Sequence, residues 1–196
     1  MLRPGGCRLS EPFTVLMLCT GNSARSILGE ALFNSLGQGR VRAFSAGSKP
    51  TGAVNPGAIR LLKREGLDVS ALRSKSWREF AEPGGPRIDI VITVCGSAAG
   101  EACPAFPGKA VRAHWGLADP AGVPGGAGAE DAAFARTWAL LRERVPTANF
   151  FQRLGYERNP IAIRTKVVEK LIAETNAVMD NKSGLDGAKD LGRLFR

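Results

Sequence analysis

The sequence predicts an α/β fold with a mainly parallel sheet. Three observations carry the prediction. Strand-sized apolar runs alternate with helix-spaced segments between residues 13 and 144. Two of these runs are FTVLMLC (13–19), which reads as a buried strand, and IDIVITV (88–94), which is nearly all β-branched, as in strands covered on both faces. The helical segments run into glycine stops, as at Gly37 and Gly66.

Residues 1–12 read as a loose leader without periodicity. Thr14–Leu18 is the first strand, ending at Cys19 and running into the turn-like TGNS. Ala24–Leu36 is a helix with Ile27, Leu28, Ala31 and Leu32 on one side. Val41–Ser45 is the second strand, followed by the loop AGSKPTG. Pro56–Glu65 has helical spacing, residues 70–80 (SALRSKSWREF) hold a short helix, and EPGGP breaks it. Ile88–Val94 is the third strand, ending at Cys95, and Gly108–His114 is the fourth. Ala118–Ala129 is a Pro/Gly-rich loop, and Glu130–Arg144 is an amphipathic helix stopped by Pro146. Beyond it, Asn149–Arg158 lacks periodicity, Ile161–Val178 reads as one long helix, and Asp180–Arg196 as a frayed polar end. Trp115 and Trp138 are expected as core or loop anchors, and His114 as a residue that closes a strand.

A chain of 196 residues is long enough for one domain with a real core. No apolar run approaches the ~20 residues of a membrane span, and no signal-peptide stretch is present, so a cytoplasmic protein with no membrane partner is expected. The net charge of +9 fits either nucleic-acid binding or the steering of a small anion. Residues 1–150 hold 18 Lys and Arg against 12 Asp and Glu, and residues 151–196 hold 9 against 6. That even spread, without a basic helix or aromatic-basic interleaving, argues against nucleic acid. The four cysteines (Cys7, Cys19, Cys95 and Cys103) contain no CxxC pair, and His114 is the sole histidine, so zinc-ligand spacing is absent and no metal is expected. Redox or nucleophilic chemistry remains. Cys7 takes no assigned role.

The segment CTGNSARS, residues 19–26, ends a strand and opens a helix. Consecutive N–H groups at such a joint form an anion cradle, and ligands of open α/β sheets sit at the carboxyl ends of strands. Thr20, Gly21, Asn22, Ser23, Ala24, Arg25 and Ser26 are therefore the candidate oxyanion-binding residues. The same geometry is expected to lower the Cys19 thiol pKa and make it a nucleophile. Arg25 offers a planar fork for a tetrahedral oxyanion. Ser26 can hydrogen-bond the sulfur, and Asn22 suits a position with positive φ. Cys95 and Cys103, eight residues apart with small residues between them, suit a redox relay.

VLMLCTGNSARS resembles the active-site loop of low-molecular-weight protein tyrosine phosphatases and of the arsenate reductases built on that fold. The resemblance covers about residues 13–145. It implies a four-stranded parallel sheet flanked by helices, of flavodoxin-like topology, with a catalytic domain over 13–146 and a C-terminal extension over 147–196, partly helical and of unassigned role. It also implies that Cys19 attacks the oxyanion centre while Arg25 and the loop amides hold its oxygens. FSAGSKP (44–50) resembles the second-strand loop of both branches and does not choose between them.

Two segments do choose. VITVCGSAAGEACPAFPG resembles the paired-cysteine segment of the reductases. This implies a Cys19 thiol–arsenate adduct, attack by Cys95 that releases arsenite and leaves a Cys19–Cys95 disulfide, and a second attack by Cys103 that moves the disulfide outward. HWGLADPAGVPGG carries the Asp119-Pro120 pair of both branches, and Asp119 is implied as the acid that protonates the leaving hydroxyl. The phosphatases typically follow that pair with a tyrosine-rich segment. Here Ala121, Gly122 and Val123 follow, and the only tyrosine is Tyr156. The resemblance thus implies an arsenate reductase for arsenic detoxification, with no bound cofactor and an external thiol reductant: thioredoxin, or glutaredoxin with a low-molecular-weight thiol. The alternatives are a tyrosine phosphatase working through a Cys19 phosphoenzyme, and a non-enzymatic oxyanion-binding protein.

Overall fold

The computed structural model describes residues 11–96, 104–107, 110–146, 165–173 and 175. The chain runs through β1 (Phe13–Cys19), α1 (Arg25–Gly37), β2 (Val41–Gly47), α2 (Pro56–Arg64), α3 (Arg78–Ala81), β3 (Ile90–Thr93), β4 (Val111–His114) and α4 (Gly126–Arg144). A further helix, α5, occupies residues 165–173. The strands form the expected four-stranded sheet, all parallel, in the order β2-β1-β3-β4. Among the described residues no helix is long and apolar enough to cross a membrane.

β1 is the strand about which the rest is arranged. Paired on both edges, it satisfies its backbone within the sheet, and all seven of its residues are buried. Because side chains alternate across a strand, its residues divide between two cores. Phe13, Val15, Met17 and Cys19 join the larger core, with α1, α2 and α4. Leu16 and Leu18 join the smaller one, with Trp77, Phe80, Val91 and Phe106. The period of two therefore puts the Cys19 sulfur on the α1 side of the sheet end.

Several expected boundaries move, each for a local reason. α1 begins at Arg25 and takes in Gly37, and the left-handed C-cap falls on Gln38. Gly37 is needed inside the helix because a Cβ there would stand 2.6 Å from the Val41 Cβ. α1 is also buried from Ser26 through Phe33, so it is a covered helix and not a one-sided one. β2 runs two residues past Ser45, since Ala46 and Gly47 pair with Leu18 and Cys19. β3 is shorter than Ile88–Val94. At its start the Asp89 carboxylate accepts the Thr14 N–H at 2.9 Å while the Asp89 N–H donates to the Thr14 carbonyl at 3.0 Å, so one ladder bond comes from a side chain. β4 begins at Val111, although Gly108 and Lys109 lie outside the described residues.

α2 matches its signals: the Asn55 side chain accepts the Gly57 N–H at 2.7 Å, Pro56 opens the helix, and the helix ends at Arg64. Only residues 78–81 of the segment 70–80 and its continuation are helical. Residues 75–77 instead run beside the end of β2, where Gly47 donates to the Lys75 carbonyl at 2.9 Å and Trp77 donates to the Gly47 carbonyl at 3.0 Å. α4 starts at Gly126, one turn earlier than expected, taking its first turn from the end of the glycine-rich loop. Its inward residues Ala133, Phe134, Thr137, Trp138 and Leu141 keep the helical period. Trp115 and Trp138 are both buried in the core, and His114 ends β4 with its Nδ1 2.8 Å from Thr93 Oγ1. Of the long helix expected over Ile161–Val178, residues 165–173 and 175 are described and are helical, and the rest of that span lies outside the described residues.

Candidate active site

The segment from Cys19 to Ser26 wraps the carboxyl end of β1 and enters α1. Its carbonyls are held from outside. Lys49 N–H donates to the Thr20 carbonyl at 3.0 Å, Thr51 N–H to the Gly21 carbonyl at 3.0 Å, and Asn55 N–H to the Ser23 carbonyl at 2.8 Å. In a trans peptide the N–H points opposite the carbonyl. Tying these three carbonyls outward turns the amides of Gly21, Asn22 and Ala24 inward. Asn22 shows the result, with its N–H 3.1 Å from the Cys19 sulfur. The segment 49–55 is thus a belt that shapes an anion cradle, a role its sequence did not disclose.

The loop can be tested through Gly47, which packs against it without a side chain. A Cβ on Gly47 would stand 2.4 Å from the Thr20 carbonyl oxygen and 3.0 Å from the Asn22 Cβ. Gly47→Ala is expected to destabilise the fold by about 1–3 kcal/mol and to weaken inorganic phosphate binding. Thermal melts with and without phosphate check this. An unchanged phosphate-induced rise in Tm would contradict it.

Asn22 has φ of 45°, the left-handed value its type suggested, and its side chain is fully buried. Its Oδ1 accepts the Lys75 backbone N–H at 2.7 Å, which settles which way the amide faces. Its Nδ2 then donates to Ser26 Oγ at 3.0 Å and to Ser45 Oγ at 2.8 Å. Ser26 Oγ accepts from Asn22 and also hydrogen-bonds the Cys19 sulfur, 2.9 Å away. Ser45 in turn donates to the Glu30 carboxylate, which Lys75 Nζ also meets at 3.2 Å. Glu30, Ser45 and Lys75 are all buried, and sequence reasoning missed all three. The available signals were a lone carboxylate inside the apolar run SILGEALF and a serine in a covered strand. Burial pushes the Glu30 carboxyl up, against the opposing pull of Lys75 and Ser45.

One expectation about Cys19 is corrected. The cradle was expected to lower its thiol pKa, and in this structure the thiol is raised. The sulfur belongs to a residue only 3% exposed, and the loss of hydration outweighs the Ser26 hydroxyl and the Asn22 and Ser26 amides, which act downward. The neighbouring Cys95 adds a further upward push. Since the Ser26 hydroxyl favours the thiolate, Ser26→Ala is expected to move the midpoint of Cys19 alkylation by iodoacetamide to higher pH. Alkylation at neutral pH should slow severalfold. An unmoved midpoint would remove Ser26 from that role.

Arg25 opens α1 and reaches across to the loop after β4. Its Nη2 lies 2.6 Å from Asp119 Oδ2 and its Nη1 donates to the Leu117 carbonyl at 3.1 Å. Asp119 also accepts the Ala121 N–H at 3.2 Å, the turn bond expected of an Asp before Pro. The structure therefore brings Cys19, Arg25 and Asp119 to one sheet end. Cys95 joins them. It follows β3, is buried, and its sulfur lies 3.5 Å from Thr20 Oγ1. Among the described cysteines, Cys19 and Cys95 are both free thiols. Cys103 and Cys7 lie outside the described residues.

The model of the family described as low molecular weight phosphotyrosine protein phosphatase matches residues 14–159. An arsenate reductase of Halalkalibacterium halodurans is 35% identical over 134 residues, which is 68% of this chain and 92% of that one. Two solved structures agree in fold. The arsenate reductase of Archaeoglobus fulgidus is 27% identical, with a TM-score of 0.51 over 67% of this chain and 98% of its own. A low molecular weight protein tyrosine phosphatase from T. tengcongensis is 26% identical, with a TM-score of 0.52 over 66% and 95%.

Proposed function

The chain belongs to the low molecular weight phosphotyrosine protein phosphatase family, and we propose that within it this protein is a thiol-dependent arsenate reductase. The observation that carries the choice is the second buried thiol. Cys95 lies two residues beyond the end of β3, the strand beside β1, and its sulfur lies against Thr20, the residue next to Cys19. A phosphatase has no use for a thiol there, whereas a reductase needs one within reach of its nucleophile.

The chemistry balances on this chain's own groups. Arg25 and the inward amides of the 19–26 loop hold dihydrogen arsenate. The Cys19 sulfur attacks arsenic, Asp119 delivers a proton to the departing hydroxyl, and the thiol proton replaces it, so that water leaves and a thiol–arsenate adduct remains. Cys95 then attacks the Cys19 sulfur, its thiol proton passing to the departing arsenite. The S–As bond breaks, its electron pair stays on arsenic, arsenic(V) becomes arsenic(III), and arsenite departs from a Cys19–Cys95 disulfide. Cys103 next attacks Cys95, freeing the Cys19 thiol and carrying the disulfide outward. An external dithiol such as thioredoxin, or glutaredoxin with a low-molecular-weight thiol, restores the enzyme, and no bound cofactor is required.

The test is arsenite release measured with each thiol system in turn. Release with either supports the reading. Hydrolysis of aryl phosphates without arsenite release would instead establish the phosphatase reading, which needs only Cys19, Arg25 and Asp119.

A further inference from the structure

The family match ends at residue 159, yet the chain beyond it reaches the same core. Val167 is 1% exposed and Leu171 fully buried, four residues apart on one side of α5, and both sit in the core that contains Cys19 and Trp115. One turn on, Thr175 Oγ1 accepts the Trp115 indole N–H at 2.9 Å, while its own proton goes to the Leu171 carbonyl at 2.8 Å. Trp115 is a pivotal residue. It follows β4 directly, its ring stacks on Phe33 of α1 at 6.0 Å, its backbone N–H donates to the Thr93 carbonyl, and its backbone carbonyl accepts from the buried Arg144 of α4. Two residues on, the Leu117 carbonyl holds Arg25, and two further on, Asp119 pairs with Arg25.

We propose that residues 165–173 together with Thr175 are a positioning strap: by holding the Trp115 indole through Thr175 and packing Val167 and Leu171 into the same core, they set the position of the loop 116–120 and hence the Arg25–Asp119 pair. Thr175 is a positioning residue, acting through Trp115 on Asp119. The proposal rests on the reading of Asp119 as the acid only for its effect on turnover. Its effect on anion binding is independent of that reading. Asp119 and an incoming oxyanion compete for the same guanidinium, so a loosened loop hands Arg25 to the anion while misplacing the acid.

The experiment is Thr175→Val in the full chain, with Thr175→Ser as the rescue that keeps the hydroxyl. Calorimetric titration with inorganic phosphate is expected to give a Kd about threefold lower for Thr175→Val, the size expected from freeing a half-exposed ion pair. The kcat for arsenite release is expected to fall about tenfold through misplacement of the acid, and to fall little further when Thr175→Val is added to Asp119→Asn. Thr175→Ser should restore both values. If Thr175→Val fails to fold, Val167→Ala, which thins the packing of α5 on the same core, carries the same expectations. The proposal is overturned if phosphate affinity is unchanged or weaker, or if the kcat loss is equally large in the Asp119→Asn background. Were the wild-type chain to release no arsenite, the functional reading would fall, and the phosphate titration would still decide this one.

Discussion

Cys95→Ser is expected to stop multiple-turnover arsenate reduction, with arsenite release falling by at least about a thousandfold, while Cys19 still hydrolyses an aryl phosphate at a comparable rate. The reason is positional. The sulfur of Cys95 is buried beside Thr20, and the register of β1 with β3 ends next to it. A serine fills that space and cannot form the disulfide that reduces arsenic. The loop 19–26, Arg25 and Asp119 are untouched, so the chemistry that needs only one thiol continues. Steady-state arsenite release and aryl phosphate hydrolysis, measured side by side, separate the two. If Cys95→Ser and Cys103→Ser both keep full turnover, the relay is wrong. If Cys95→Ser loses both activities together, the thiol supports the loop and does not resolve an adduct.

The second large effect belongs to Cys19. Cys19→Ser is expected to abolish both activities, with rates down by about 10⁴ or more, the scale on which removal of a nucleophile acts. Phosphate binding should survive, because the belt that turns the amides inward is made by the backbone of Lys49, Thr51 and Asn55 and not by the sulfur. A serine oxygen also finds the Ser26 hydroxyl and the Asn22 N–H already in place. Retained phosphate affinity with lost turnover is the expected pair of results. Measurable turnover by Cys19→Ser would move the nucleophile elsewhere, and lost phosphate binding would make the thiol a structural part of the cradle.

The site was legible in the sequence to the extent that it is local. Cys19, Arg25 and Ser26 lie within eight residues at a strand-to-helix joint, so spacing alone places them around one turn. The same holds for the positive φ of Asn22 and the cap formed by Asn55 and Pro56. Ser45, Glu30 and Lys75 were not legible in that way. They are separated by 15 and 45 residues from the partners they meet, and each looks ordinary in its own segment. The belt of Lys49, Thr51 and Asn55 escaped notice for a related reason, since it acts through main-chain N–H groups that every residue type shares.

The sequence by itself determined the α/β class, the strand-ending Cys19 and the cradle that follows it, because periodicity and turn chemistry are written in neighbouring residues. The strand order β2-β1-β3-β4 that sets Cys95 beside Thr20, the pairing of Arg25 with Asp119, and the packing of α5 under Trp115 were decided only in three dimensions. The direction of the Cys19 pKa belongs with them. A loop's N–H donors can be read from its sequence. How much water is taken from the sulfur depends on what the rest of the chain lays over it, and here that cover outweighs the donors.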